Sequence, residues 1–353
     1  MIQFEFEKRL GTSRRVRSTV ILFSIVASII LFGLFLIVVG ANPIKAYSKI
    51  LQYGFANSKQ LAHTVSKMIP LLLTALAFSV PYKAGIWNVG AEGQLYMGAF
   101  LGGGVALFMS NLPTALIFPM IILAGFVAGA VWGAIAGFLK SLLRVDEIVS
   151  TLMMNYIAIL WMNFLITGSW RERGGYGYPQ SSQFPENTWL PTFGNTNIHI
   201  TIIVGVILAL IVSFLILRSR LGYEIKVVGS NRKTAELAGI SSIKTIILVM
   251  ILAGGFAGIA GAGEVAGAQH RLRQGLSPGY GFTGIVVSFL ANNNPILIIP
   301  VAFLFAGMIV GGNTLQITMK LPSGIIEVFQ GLTLFCMAAG HFFLEYKLKG
   351  KKK

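Results

Sequence analysis

Residues 84–100, AGIWNVGAEGQLYMGAF, place Asn88, Glu92 and Gln94 within seven residues of one another in an otherwise apolar chain. Gly85, Gly90, Gly93 and Gly98 interrupt the stretch. A helix crossing lipid satisfies its backbone internally and avoids buried charge. A polar, glycine-broken segment at that depth is tolerated where it lines a cavity or packs inside protein, as in the interrupted helices of transporters. The plainer alternative is a short loop leading into a helix. The stretch is read here as part of a solute pathway.

Working outward, the composition sets the class. Of 353 residues, 55% are hydrophobic and only 11% charged, against about 25% charged in a soluble domain. Several apolar runs reach the roughly 20 residues that a bilayer crossing needs. The expectation is a polytopic membrane protein with little chain left for a soluble domain. The net charge of +16 does not mark a nucleic-acid binder, because the basic residues cluster between apolar runs and at the ends, as the positive-inside rule produces. One cysteine, Cys336, gives no disulfide framework and no thiol–metal site. Four scattered histidines make no metal cluster; His341 and Glu345 are at helical spacing, but two residues are not a site. The run Thr19–Ala41 follows Lys8, Arg9, Arg14, Arg15 and Arg17 and exceeds the h-region of a signal peptide, so it reads as an uncleaved first span.

Ten spans are expected: Thr19–Ala41, Leu61–Val80, Ile86–Met109, Ala115–Leu139, Glu147–Gly168, Ile198–Leu217, Thr245–Ala266, Tyr280–Ala291, Pro295–Gly312 and Ser323–Tyr346. The eighth is too short for a full crossing and reads as a half-helix or a re-entrant element. With the amino end inside, nineteen basic residues fall on inner segments and nine, Lys67 among them, on outer ones. That bias favours both ends inside. The layout is then an inner amino end (1–18), broken membrane segments at 84–100 and 275–295, an external loop at 169–197, an inner loop at 219–244 and a basic inner tail at 347–353. The external loop carries Trp170, Tyr176, Tyr178 and Trp189, suited to interfacial anchoring.

Glycine spacing predicts how the spans pack. Gly125, Gly129, Gly133 and Gly137 recur every four residues on one face, and Gly254, Gly258, Gly261 and Gly263 crowd the seventh span. Small residues at this spacing let helix backbones approach closely in lipid. The second span and the stretch after it run opposite to the seventh span and GLSPGYGFTGIVVSFLANNNP (275–295), the pattern of an inverted repeat with a central binding site. In the inner loop, Ser230 or Asn231 can cap a short helix that Gly239 ends.

Three motifs in order, GIWNVGAEGQLYMGA, GYEIKVVGSNRKTAELAGIS and GYGFTGIVVSFLANNNP, resemble the permeases of bacterial ABC importers. The branch is the one that holds branched-chain amino acid, ribose and nucleoside permeases. The first motif is closest to the nucleoside-type version, near F-N-I-G-x-E-G-Q, with Trp87 and Val89 standing where phenylalanine and isoleucine are common. The resemblance covers nearly the whole chain and implies an all-α permease of about ten spans with two inverted repeats, in a bacterial inner membrane.

It further implies that Ser230, Asn231, Arg232, Lys233, Thr234, Ala235, Glu236, Leu237, Ala238 and Gly239 form a coupling helix docking on a cytoplasmic ATPase. The chain has no G-x-x-x-x-G-K-[ST] loop, so ATP and magnesium would be bound by that partner and this chain would be a transport subunit rather than an enzyme. A second permease, identical or different, and an extracytoplasmic solute-binding lipoprotein complete the implied assembly; no nucleic acid is implied. Expected pathway residues are Trp87, Asn88, Glu92 and Gln94, with Phe282 and Asn292 from the second broken stretch. Trp87 can stack on a planar base, while Asn88 and Gln94 offer amide donors and acceptors. For Trp87 interfacial anchoring is an equal reading, and for Glu92 a structural cap or a buried hydrogen bond to backbone is favoured over direct contact with solute. Riboflavin or a simple sugar are alternative solutes. An ion-driven secondary transporter is the rival of another class, for which Glu92, Glu264 and Glu327 are the only well-placed ionisable residues.

Overall fold

The computed structural model describes residues 3–8, 14–172, 174, 177–322 and 324–351. Arg9, Arg173, Tyr176, Lys352 and Lys353, used above for charge and anchoring, lie outside the described residues. Thirteen helices account for most of the rest: α1 (Arg14–Val38), α2 (Pro43–Phe55), α3 (Ser58–Lys83), α4 (Ala91–Phe108), α5 (Thr114–Ser141), α6 (Glu147–Thr167), α7 (Thr201–Arg218), α8 (Arg220–Ser230), α9 (Arg232–Leu237), α10 (Ser242–Glu264), α11 (Tyr280–Leu290), α12 (Pro295–Thr318) and α13 (Ile325–Glu345). Eight of them are long and apolar enough to cross a membrane. One expected span differs, α4, while α11 is the short element expected of the eighth. α4 is buried over most of its length, but Glu92, Gln94 and its glycines lower its hydropathy, and its helix starts at Ala91 rather than Ile86. α11 has 11 residues, about 16 Å of helix, so it crosses only part of a bilayer.

The chain forms two compact units, one of residues 1–53 with 311–353 and the other of residues 54–310. In the first, α1 packs on α13 through Phe32, which meets Phe329 at 4.9 Å and Tyr47 at 6.1 Å. Strands β1 (Gln3–Lys8) and β2 (Tyr346–Lys351) pair antiparallel, Gln3 opposite Lys351.

The second unit is built around α10. A methyl group at Gly254 would run into the Gly129 carbonyl, one at Gly258 into the Gly125 carbonyl, and one at Gly133 into the Met250 carbonyl. On another side of α10, a methyl at Gly98 would strike Gly258 and one at Gly261 the Leu95 carbonyl. The predicted close packing is therefore present, with α10 wedged against α5 and α4 at backbone-to-backbone distance. α3 lies against both α10 and α11. At the α5–α6 turn, Lys140 pairs with Glu147, and Asp146 Oδ1 accepts from Ile148 N and Val149 N at 3.0 Å.

Candidate functional site

After Lys83 the chain leaves the helix at Gly85, whose φ of +73° is a left-handed turn that a side chain would strain. Residues 86–90 carry no helix, so their backbone groups need other partners. Asn88, fully buried, donates to Ala77 O at 3.1 Å and Gln94 Oε1 at 3.0 Å, and its Oδ1 accepts from Gln94 Nε2 at 3.1 Å and Gly90 N at 3.2 Å. Asn155 of α6, buried in an apolar span, closes the other side: Gly93 N donates to its Oδ1 at 2.8 Å, and its Nδ2 donates to Val89 O at 2.9 Å. Asn88 and Gln94 thus face each other in this conformation and fasten the broken stretch. Asn155 escaped the sequence reading, although an asparagine inside the run Glu147–Gly168 was a legible signal.

Glu92 joins the two broken stretches. Its Oε2 accepts from Gly281 N at 2.7 Å, and the Ser277 hydroxyl and Gly279 amide also reach the carboxylate. Ser277 Oγ in turn accepts from Gly279 N and Tyr280 N at 3.1 and 2.9 Å. The carboxylate therefore sits in the first turn of α4 and against the first turn of α11. Free amide groups and the helix dipole favour negative charge at both places. α4 runs parallel to α10, with Gly98 beside Gly258 and Gly102 beside Ala262. α11 runs parallel to α3, since Thr74 Oγ1 donates to Tyr280 O at 3.0 Å and Ser79 Oγ to Asn293 O at 3.0 Å. Two helices thus begin part-way along α3 and leave in opposite directions.

The remaining expected pathway residues spread out from this junction. Trp87, half-buried, packs with Phe289, Tyr82 and Phe78 at ring distances of 5.5, 5.8 and 5.9 Å. Phe282 follows Gly281 and is exposed, while Asn292 is exposed beyond the far end of α11.

A second polar cluster lies further along α3. Lys67, assigned above to an outer segment, is inside α3 and forms an ion pair with the buried Glu264 at 2.8 Å. Gln269 Nε2 donates to the same Glu264 oxygen at 2.9 Å and to Leu276 O at 2.8 Å. α10 ends in one π-helical turn, Val265–Gln269, which leads to this bond. Opposite charges set in two apolar spans were the signal for the pair. Above it, the loop 169–197 is zipped to the chain after α10: Leu190 N donates to Ala266 O at 3.0 Å, Phe184 N to His270 O at 2.8 Å and Ser181 N to Leu272 O at 2.8 Å. Beneath that loop lies a cavity of about 460 Å³.

His199, just before α7, is fully buried against Gly267, and neither ring nitrogen has a hydrogen-bond partner among the described residues. Burial pushes its imidazole down to about 4; Glu264 opposes that shift, and Lys67 and His270 add to it. The unfolded chain takes up this proton near pH 6.5, the folded chain only near 4. The stability that depends on neutral His199 is therefore complete above pH 6.5 and is lost as the pH falls towards 4, by about 3 kcal/mol. Thermal unfolding between pH 7 and pH 4 should show a steeper loss for this chain than for its His199→Leu variant. Identical pH profiles would refute the assignment.

The inner loop holds two helices where one was expected. α8, capped by Ser219 Oγ at Gly222 N (3.0 Å), precedes α9. Asn231 caps α9, its Oδ1 accepting from Lys233 N at 2.9 Å and Thr234 N at 3.2 Å, and Gly239 at φ +75° follows it. Ala235 is buried, but Leu237 is 91% exposed. At the other end of α8, Gly229 rests on the Lys83 carbonyl and against Gly85, where the broken stretch begins.

The family described as branched-chain amino acid transport system, permease component, matches residues 60–338. The chain is 31% identical over 337 residues to the glucose ABC transporter permease protein TsgB13 of Haloferax volcanii, covering 92% of this chain and 88% of that one. It is 31% identical over 340 residues to the nucleoside ABC transporter permease protein NupB of Lactococcus lactis subsp. cremoris, covering 94% and 93%. Against the guanosine ABC transporter permease protein NupP of Bacillus subtilis it is 29% identical over 343 residues, covering 94% and 96%. No solved structure matches the chain.

Proposed function

The chain belongs to the branched-chain amino acid transport system permease family, and from that premise we propose that it is the membrane subunit through which an ATP-driven ABC importer carries nucleosides. The observation that carries this reading is the route from α9 to the broken stretch. α9 presents the exposed Leu237, α8 immediately precedes it in the same loop, and Gly229 near the α9 end of α8 rests on Lys83, just before residues 84–100. A push on α9 by an ATPase would reach the junction held by Glu92 through packed backbone rather than through flexible side chains.

ATP and magnesium are bound by a separate ATPase; this chain contributes conformational states, whose balance the ATPase shifts. A second permease subunit and a solute-binding protein complete the assembly in the cytoplasmic membrane. Both ends lie on the cytoplasmic side, with α9. The pairing of β1 with β2 supports an even number of crossings, because paired strands share a side. Trp87, Asn88, Glu92, Gln94, Phe282 and Asn292 line or control the pathway. In the state described here Asn88 and Gln94 bond each other, and opening that bond would free both amides for solute. The relatives named for nucleoside and guanosine transport support a nucleoside. The relative named for glucose supports a simple sugar as the second reading.

Uptake in proteoliposomes containing the assembled transporter tests this. Labelled guanosine, glucose and riboflavin are offered with and without ATP. ATP-dependent guanosine uptake is expected, falling at least about tenfold in Leu237→Asp, which puts an unpaired charge where a buried apolar contact with the ATPase would form. The Leu237→Asp chain should still be extracted intact. ATP-dependent uptake of glucose or riboflavin alone would replace the substrate and keep the mechanism. Uptake indifferent to ATP would overturn the importer and favour a secondary transporter.

A further inference from the structure

The cavity under the loop 169–197 is bounded by Lys67 from α3, Trp189, Thr192 and Asn197 from the loop, and His270 after α10. We propose that it is the receiving site for a neutral, hydroxyl-bearing solute, with the Lys67–Glu264 pair as its reading group. The inference rests on the permease reading above and names a site that the expected pathway residues do not include.

Size and chemistry agree. About 460 Å³ lies within the range of small-molecule sites, which run from about 300 to 1,000 Å³. Lys67 is 34% exposed at its side chain, while Glu264 behind it is buried. An ammonium has three N–H donors, and Glu264 Oε1 takes one at 2.8 Å. The Tyr280 side chain takes a second, so the cavity is offered one strong donor whose charge is already cancelled. Such a group binds hydroxyl and carbonyl oxygens well but gives an anion no net attraction; a phosphate site needs cations left uncompensated.

The walls suit the same solute. Trp189 and His270 stack at 3.9 Å and 15°. Trp189 Nε1 is held by Phe184 O at 2.8 Å, and Phe184 N donates to His270 O at 2.8 Å. This makes a rigid aromatic wall with one apolar side, suited to a planar ring or the C–H face of a sugar. At the rim, Asn197 and His63 meet at 3.3 Å and Thr192 is exposed, supplying donors and acceptors together. The floor leads inward, because the Lys67 ammonium lies 5.6 Å from the Tyr280 ring and Tyr280 adjoins Gly281, where Glu92 joins the two broken stretches. A solute released here stands directly over the junction that must open.

The test is thiol protection in the assembled transporter without ATP. Cys336, the only cysteine of the chain, is replaced by serine, and Thr192→Cys is labelled with a fluorescent maleimide. Guanosine, glucose and riboflavin are compared with guanosine monophosphate. At least one neutral solute should slow labelling about threefold or more at twice its dissociation constant, and the monophosphate should not. The paired replacement Lys67→Met with Glu264→Leu, which leaves no lone charge, should abolish protection in protein that still elutes as a single species. Labelling unaffected by every neutral solute, equal protection by the monophosphate, or protection surviving the paired replacement would each overturn the site. Because no ATP enters the assay, failed protection beside ATP-dependent uptake sinks the site alone. Protection beside ATP-independent uptake sinks the importer alone.

Discussion

Gly258→Leu is expected to remove the folded chain from detergent extracts. The Cβ of any residue at 258 would meet the Gly125 carbonyl, with the Gly129 Cα at 3.1 Å, while α4 approaches the same residue through Gly98. Two backbones therefore close on one position, and neither can rotate away as a side chain would. Overpacking typically costs about 1–3 kcal/mol where neighbours can shift. Here the loss should exceed that range, because three helices must separate. Size-exclusion chromatography of a fluorescent fusion would show aggregate in place of a single peak. Gly331→Leu on α13, whose Cβ would meet nothing within 4 Å, is the control and should elute unchanged. A Gly258→Leu chain with wild-type elution and thermal midpoint would mean that α4, α5 and α10 are not packed as described.

Lys67→Met should have the next largest effect on stability, about 3–5 kcal/mol, since it strands the buried Glu264 carboxylate. Glu264 Oε2 already lacks a hydrogen-bond partner among the described residues, so only Gln269 would remain to hold the charge. Replacing both residues, Lys67→Met with Glu264→Leu, should recover much of the loss, because two apolar side chains of similar volume leave no buried charge and only one Gln269 N–H without its acceptor. A double-mutant cycle on thermal unfolding measures the difference. Additive losses would show that the two groups do not form a pair in the folded chain.

The span pattern was legible because it rests on composition and period, which are properties of the chain alone. The runs that became α1, α3, α5, α6, α7, α10, α12 and α13 were each long enough to identify one by one. The glycine stripes were legible for the same reason, since only a close neighbour explains a small residue every fourth position. α2 and α8 went unread: at 13 and 11 residues they are too short to span and carry no uninterrupted apolar run. The cap at Asn231 was readable because a cap is local, involving residues two and three positions away.

Long-range partners were not readable in the same way. Asn88, Glu92 and Gln94 were visible as polar residues in an apolar chain, yet nothing in the stretch says that Asn88 and Gln94 bond each other, that Asn155 clamps the backbone from α6, or that Glu92 holds Gly281. Lys67 and Glu264 are separated by 197 positions, and their pairing makes one neutral group of two costly ones. By itself, the sequence determined that this is a membrane-spanning helical protein, where its helices break, and which faces pack closely. Tertiary structure alone decided which buried polar group satisfies which, because a hydrogen bond is chosen by distance and direction in space, and the chain brings those partners together only when it folds.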